Sequence, residues 1–193
     1  MPMSARPKPY VTPAHYLTAE REAEFKSQYY QGEVFAMSGA SRAHNLLVKN
    51  LLVSLDNRIG DKCSVFPSDM RVHVAANGLY TYPDVSVVCG AEEYLDDAHL
   101  DTLLNPVVLV EVLSKTTAKD DRSSKFLLYK SISSLQHYVL VESLRVGIAV
   151  YSRGVAGSWL FQEYQGLEGV LPLPALGVEL PLAEVYRRLE LPE

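Results

Sequence analysis

The stretch Val107-Val108-Leu109-Val110-Glu111-Val112-Leu113 constrains the fold more than any other part of the chain. Side chains along a strand alternate between two faces, and here both faces are apolar except at one position. Such a run belongs in the middle of a sheet whose two sides are both covered. The exception, Glu111, is a carboxylate at the centre of that strand. A buried charge without a partner costs roughly several kcal/mol even after relaxation. Glu111 therefore needs a cation, a proton or an unusually good set of donors.

Around this strand the pattern mixes helices and strands. Residues 12–24 read as a helix opened by Pro13, and 29–37 as a strand pair centred on Gly32. Ser41 suits the N-cap of the next helix, in which Ala43, Leu47, Leu51, Leu55 and Ile59 recur every fourth residue until Gly60 ends it. Strands are expected at 63–66, 69–75 and 82–89, with a hairpin signal at Asn77-Gly78, and an acidic, polar loop fills 90–105. Beyond the central strand, 120–131 has helical spacing, and 137–141, 146–152 and 159–164 read as strands. Residues 176–188 read as a short strand and a last helix started at Pro181. The expectation is a mixed α/β (α+β) fold with a central mixed sheet flanked by helices. A length of 193 residues sets one domain as the default, residues 1–193 with 1–11 as an N-terminal tail.

A net charge of -5 weighs against a protein that coats itself in nucleic acid, since that affinity comes from Lys and Arg displacing counterions. A local basic cleft is compatible with it, and carboxylates gathered round a metal would themselves push the total negative. Cys63 and Cys89 each lie in a Val-rich stretch, which suits reduced, partly buried thiols, and no Cys and His spacing resembles a zinc site. No apolar run reaches signal-peptide or membrane-spanning length. These features lead to the expectation of a soluble cytoplasmic protein with no membrane partner.

Asp84 follows Pro83 at the start of a Val-rich strand. Two carboxylates at neighbouring strand positions can share one hard cation, because magnesium takes oxygen ligands and keeps some waters. Asp84 alone reads as a turn residue, and Glu111 alone as the partner of a buried arginine; the pair favours a metal. Asp121, Lys125 and Tyr129 are spaced by four, along one helix face. Their simplest reading is an exposed Asp121–Lys125 ion pair worth only ~0.3 to 0.5 kcal/mol. Asp69 and Arg71 read as strand-surface residues, with Arg71 also suited to meeting a phosphate. Ser114, Thr116 and Thr117 read as capping residues, since no serine hydrolase motif surrounds them.

Taken in order, Gly32-Glu33-Val34-Phe35-Ala36-Met37-Ser38-Gly39-Ala40, Ser68-Asp69-Met70-Arg71-Val72, Tyr82-Pro83-Asp84-Val85, Glu111-Val112-Leu113-Ser114, then Asp121, Lys125 and Tyr129, Ser134-Leu135-Gln136-His137-Tyr138 and Leu180-Pro181-Leu182-Ala183-Glu184-Val185-Tyr186 resemble the PD-(D/E)XK nuclease superfamily. More closely they resemble the restriction endonuclease family often called Uma-two. The resemblance implies a restriction-endonuclease-like core and a magnesium-dependent nuclease, with manganese as an alternative ion. It implies that Asp84 and Glu111 bind the metal, with the backbone carbonyl of Val112 as a further ligand. It also implies that a lysine positions the attacking water. The superfamily's lysine stands two residues after the glutamate, where this chain has Leu113, and Lys125 is the natural substitute. Glu33 and His44 complete the expected shell around the metal. Glu33 reads equally well as a solvated hairpin residue, and His44 as a hydrogen-bonded structural one. DNA is the implied substrate, hydrolysed by a metal-activated water, and a homodimer is the implied assembly for cutting both strands. Two other readings stay open: a nuclease fold without turnover that binds nucleic acid or another partner, and a metal-free protein whose Glu111 pairs with arginine.

Overall fold

A computed structural model describes residues 9–37, 39–95, 98–114 and 124–191. Its centre is a six-stranded sheet in the order β11-β10-β9-β8-β6-β3. In sequence these strands are β3 (Cys63–Pro67), β6 (Val85–Cys89), β8 (Val108–Leu113), β9 (His137–Glu142), β10 (Gly147–Arg153) and β11 (Trp159–Gln165). All neighbours are antiparallel except β8 and β9, so the sheet is mixed, as the sequence pattern implies. Strand β8 lies between β6 and β9, and all six of its residues are buried. A second sheet has the order β2-β1-β5-β4-β7, from β1 (Ser27–Tyr30), β2 (Glu33–Ala36), β4 (Arg71–Val74), β5 (Leu79–Thr81) and β7 (Thr102–Leu103).

The two faces of the six-stranded sheet are covered differently. On one lies the helix α2 (Arg42–Ile59), whose Leu47, Leu51, Leu55 and Ile59 pack on Val85, Val87, Val108, Val110 and Val112. The hairpin of β12 (Val170–Leu173) and β13 (Val178–Pro181) and the short helix α4 (Leu182–Val185) complete this layer. On the other face, Leu109, Leu113, Tyr138 and Leu140 meet Val72, Val74, Leu79 and Leu103 of the second sheet. They also meet Tyr129 of the short helix α3 (Phe126–Tyr129). Both faces of β8 thus exclude water, which is why its sequence is apolar in both registers.

Local signals in the sequence explain most element ends. Thr12 caps α1 (Pro13–Glu22), with Pro at the first helical position where its missing N–H costs nothing. Ser41 Oγ accepts the N–H of His44, 3.2 Å, and Gly60 closes α2 with a positive φ of 57°. Gln31 and Gly32, at φ of 48° and 89°, make the two-residue turn between β1 and β2.

Three expectations are corrected. The strand expected at 82–89 begins only at Val85, as β6 of the first sheet, and the separate strand β5 before it, in the second sheet, ends at Thr81. Pro83 stands at this crossing, where it has no N–H to give a ladder. Cys63 and Cys89, expected as separate reduced thiols, are joined as a disulfide. They face each other in the β3–β6 register, beside the Gly90 N–H to Lys62 carbonyl bond. That makes them a non-hydrogen-bonded pair, the closest approach of two side chains in an antiparallel ladder; their Cα atoms are 4.0 Å apart. The support that free thiols lent to a cytoplasmic setting falls away with the pairing. Among the described residues no helix is long and apolar enough to cross a membrane.

Arg71 is the third. Expected at the strand surface or on a phosphate, it is 2% exposed. Its guanidinium pairs with Asp101 at 2.7 Å, and it donates to Thr102 Oγ1 at 2.9 Å and to the Tyr82 hydroxyl at 3.0 Å. Asp101 also pairs with Arg21 of α1 at 3.0 Å, and the Tyr82 hydroxyl donates to Glu20. This network, beside the rings of Tyr16, Tyr29 and Tyr80, fastens α1 to the second sheet. Burial by itself raises the Asp101 carboxyl, but bonds from Arg21 and Thr102 and the Arg71 charge outweigh it and hold the group well below the usual range. Removing Arg71 strands the buried side of the network. Arg71→Ala is expected to cost about 3 kcal/mol in urea unfolding, discounted from the fully buried case because Asp101 touches solvent.

His137 is buried, with Nδ1 2.9 Å from Ser152 Oγ and Nε2 accepting the Ala175 N–H at 3.3 Å. An accepting Nε2 requires the neutral ring, and burial lowers its pKa. A lowered folded value means that the unfolded chain takes up a proton first, so stability falls as pH drops below about 6.5. The urea midpoint is expected to decline over that range. The decline should be shallower in His137→Gln, where His73, also lowered by burial, still contributes.

Candidate active site

The centre of the site follows from strand register. Strands β6 and β8 pair Val87 with Val108, Ser86 with Leu109 and Val85 with Val110. One step further the same register sets Asp84 opposite Glu111, at the joint where the chain passes between the two sheets. The ladder has ended there, and the Asp84 carboxylate takes over its role: Oδ2 accepts the N–H of Val112 at 2.7 Å. An extended residue points its N–H and carbonyl to the same edge, so the Val112 carbonyl also faces the Asp84 side.

Asp84 Oδ2 has a second partner. His44 Nε2 lies 3.1 Å away, brought there from the first turn of α2 by the Ser41 cap. Both side chains are largely buried, at 15% for Asp84 and 17% for His44. Among the described residues Asp84 Oδ1 takes no hydrogen bond.

Glu111 shares the face of β8 that carries Leu109 and Leu113, and it is 4% exposed. Its Oε1 meets Lys125 Nζ at 2.9 Å and accepts from the Tyr129 hydroxyl at 2.8 Å. A lysine thus stands beside Glu111, and Arg71, buried in the same part of the fold, pairs with Asp101. Lys125 precedes α3 in a wide turn at 124–125, and its side chain is 19% exposed. It is not the surface decoration that its spacing alone suggests. The expected partner Asp121 lies outside the described residues, as do Thr116 and Thr117.

Among the described residues each carboxylate thus has one oxygen held by two partners, one pair from β8 and α2, the other from the α3 region. The structure places these residues in two sets on successive positions of β8, Asp84 with His44 and the Val112 N–H, and Glu111 with Lys125 and Tyr129. Glu33 opens the edge strand β2, is exposed, and shares none of these four bonds. Asp69, also exposed, pairs with Lys26 at 3.0 Å. Leu113 packs, fully buried, where a strand lysine would stand. The sequence pattern placed Tyr129 on the Lys125 face but gave it no role; its hydroxyl on a buried carboxylate had only the spacing of four to announce it.

Among the described residues no group of three or more His, Cys, Asp or Glu side chains gathers as a metal cage. What is present is two opposed carboxylates and a carbonyl-bearing strand edge, an all-oxygen set. Magnesium takes one or two carboxylates from a protein and completes its shell with water and phosphate oxygens. With Asp84 Oδ1 unengaged among the described residues, the donor set fits such an ion.

Comparison with known proteins gives the family and the fold. The family Uma2, described as "Putative restriction endonuclease", matches residues 13–183. "Uncharacterized protein slr1290" of Synechocystis sp. is 34% identical over 184 residues, covering 95% of each chain. "Uncharacterized protein sll1609" of the same organism is 36% identical over 157 residues, 81% of this chain and 88% of that one. The crystal structure of "a putative nuclease belonging to DUF820" from Anabaena variabilis superposes with a TM-score of 0.73 at 14% identity, over 91% of this chain and 97% of that one. At that identity the likeness is one of fold. A family match over nearly the whole length, with relatives above 30% identity, places this chain in the Uma2 family.

Proposed function

We propose that the protein is a magnesium-dependent endonuclease that hydrolyses phosphodiester bonds in DNA, with manganese able to replace magnesium. The observation that carries this reading is the register that opposes Asp84 to Glu111, with Lys125 2.9 Å from the glutamate. Asp84, Glu111 and the Val112 carbonyl would hold the ion, which when bound supplies Lewis-acid polarisation of the phosphoryl group. His44 and the Val112 N–H fix the rotamer of Asp84 through Oδ2. Lys125 keeps positive charge beside the carboxylates, where a phosphate and its attacking water must sit, and offsets negative charge as it develops on the phosphoryl oxygens. The buried setting strengthens these interactions relative to water. The reaction needs no covalent enzyme intermediate, so no activated Ser or Cys is called for. Cutting both strands of a duplex calls for two such sites, and a homodimer is part of this reading.

Leu113 in the usual lysine position is the feature that favours a fold without turnover. Lys125 on Glu111 weighs against it, because an amine reaches the carboxylate by another route. Cleavage of plasmid, linear and single-stranded DNA in magnesium or manganese decides between them. The expected result is metal-dependent cutting that stops with chelator. Activity should be lost in Asp84→Ala and Glu111→Ala, and reduced about 10²- to 10³-fold in Lys125→Ala. Binding without cleavage in every metal would leave the inactive module, and equal activity in all variants would mean a wrong site.

A further inference from the structure

We infer that Tyr129 is the positioning residue that lets a helix-borne lysine serve where the strand offers leucine. This rests on the nuclease reading of the same site. A lysine two residues after Glu111 would have its place set by the β8 backbone, but Leu113 occupies that position and is packed into the core. Lys125 reaches the carboxylate on a flexible four-carbon stem, from a wide turn ahead of a helix of four residues. An amine on so flexible a stem needs its turn fixed to the sheet.

Tyr129 does this one helical turn later. Its hydroxyl donates to Glu111 Oε1 at 2.8 Å, the same oxygen that Lys125 meets at 2.9 Å. The ring is fully buried and stands edge-on to Tyr138, with centroids 5.3 Å apart. Tyr138 belongs to β9 and pairs with Leu109 of β8, so the ring is seated on the strand that carries Glu111 and on its neighbour. From the second sheet, Asn77 Nδ2 donates to the Leu128 carbonyl at 3.0 Å and holds the same end of α3. Both ends of this one turn are therefore tied to a single carboxylate oxygen. The tie sets the rotamer of Glu111 and the reach of Lys125 together. A tyrosine needed only for packing would be replaced by phenylalanine without loss, and the hydroxyl is what distinguishes the two roles.

The test compares the full-length protein with Tyr129→Phe, Lys125→Ala and the double variant, in single-turnover DNA cleavage and in Mn2+ calorimetry. Tyr129→Phe is expected to lower the cleavage rate about 10- to 100-fold, the usual effect of losing a group that orients a metal ligand. The substrate concentration for half-maximal rate should stay near that of wild type, as expected when a lost interaction acts on turnover rather than on uniform binding. Adding Tyr129→Phe to Lys125→Ala should cost clearly less than it does alone, because both groups act on one oxygen. A folding loss would be equal in the two backgrounds, so equal losses overturn the inference, as does a wild-type rate in Tyr129→Phe. A wild-type protein that neither binds Mn2+ nor cuts overturns the nuclease reading and this inference with it. A wild type that does both, with Tyr129→Phe unchanged, removes the inference alone.

Discussion

The charge of Glu111, 4% exposed in the central strand, is the constraint on which the surrounding structure depends. An apolar residue of similar volume would pack between Leu109 and Leu113 without desolvating an ion, so the strand carries this carboxylate at the expense of stability. The protein meets the cost locally, with an ammonium and a phenol on one oxygen. Because Lys125 and Tyr129 must both reach that oxygen, the turn that bears them has to lie against the sheet. The packing of Phe126, Leu128, Ile132 and Leu135 on the same face follows from this requirement.

Asp84 is fixed by topology more than by its neighbours in sequence. The chain passes from one sheet to the other across Tyr82-Pro83-Asp84, and a proline there ends the ladder of the five-stranded sheet before that of the six-stranded sheet begins. The N–H of Val112 is left without a strand partner at that point, and the Asp84 carboxylate accepts it. A gap in backbone pairing is thereby filled by a side chain, which orients that side chain across from Glu111. His44, held by the cap of α2, grips the same oxygen from the opposite layer.

Much of this was legible in the sequence where the pattern was local. The stripe of α2 between Ser41 and Gly60, the hairpin at Gly32 and the two-faced run of β8 all fold as their periodicity implies. The strand expected at 82–89 starts three residues late, at Val85, because Tyr82-Pro83-Asp84 carries the chain from one sheet to the other, and the three-residue β5 before it was missed. Strand β12 was missed since Pro172 lies inside it, a residue that demotes a run to loop or edge, and β7 was missed for being two residues long. The pairing of Cys63 with Cys89 and of Arg71 with Asp101 depends on long-range register, which no local window contains. The same holds within the site. Asp84 and Glu111 were found by their chemistry, whereas the His44 contact joins residues forty apart, and spacing alone favoured the solvent for Lys125.

The four side chains of the site come from the start of α2, the crossing before β6, the middle of β8 and the turn before α3. Contacts between such distant parts of a chain close late, because the entropy of long loops must be overcome before any of them forms. A growing chain on the ribosome, or one unravelled by heat, would hold the same acids and amines scattered and harmless. The ability to cut, on the reading given above, would switch on only when both sheets have docked, so the fold itself would act as the safety catch on the molecule.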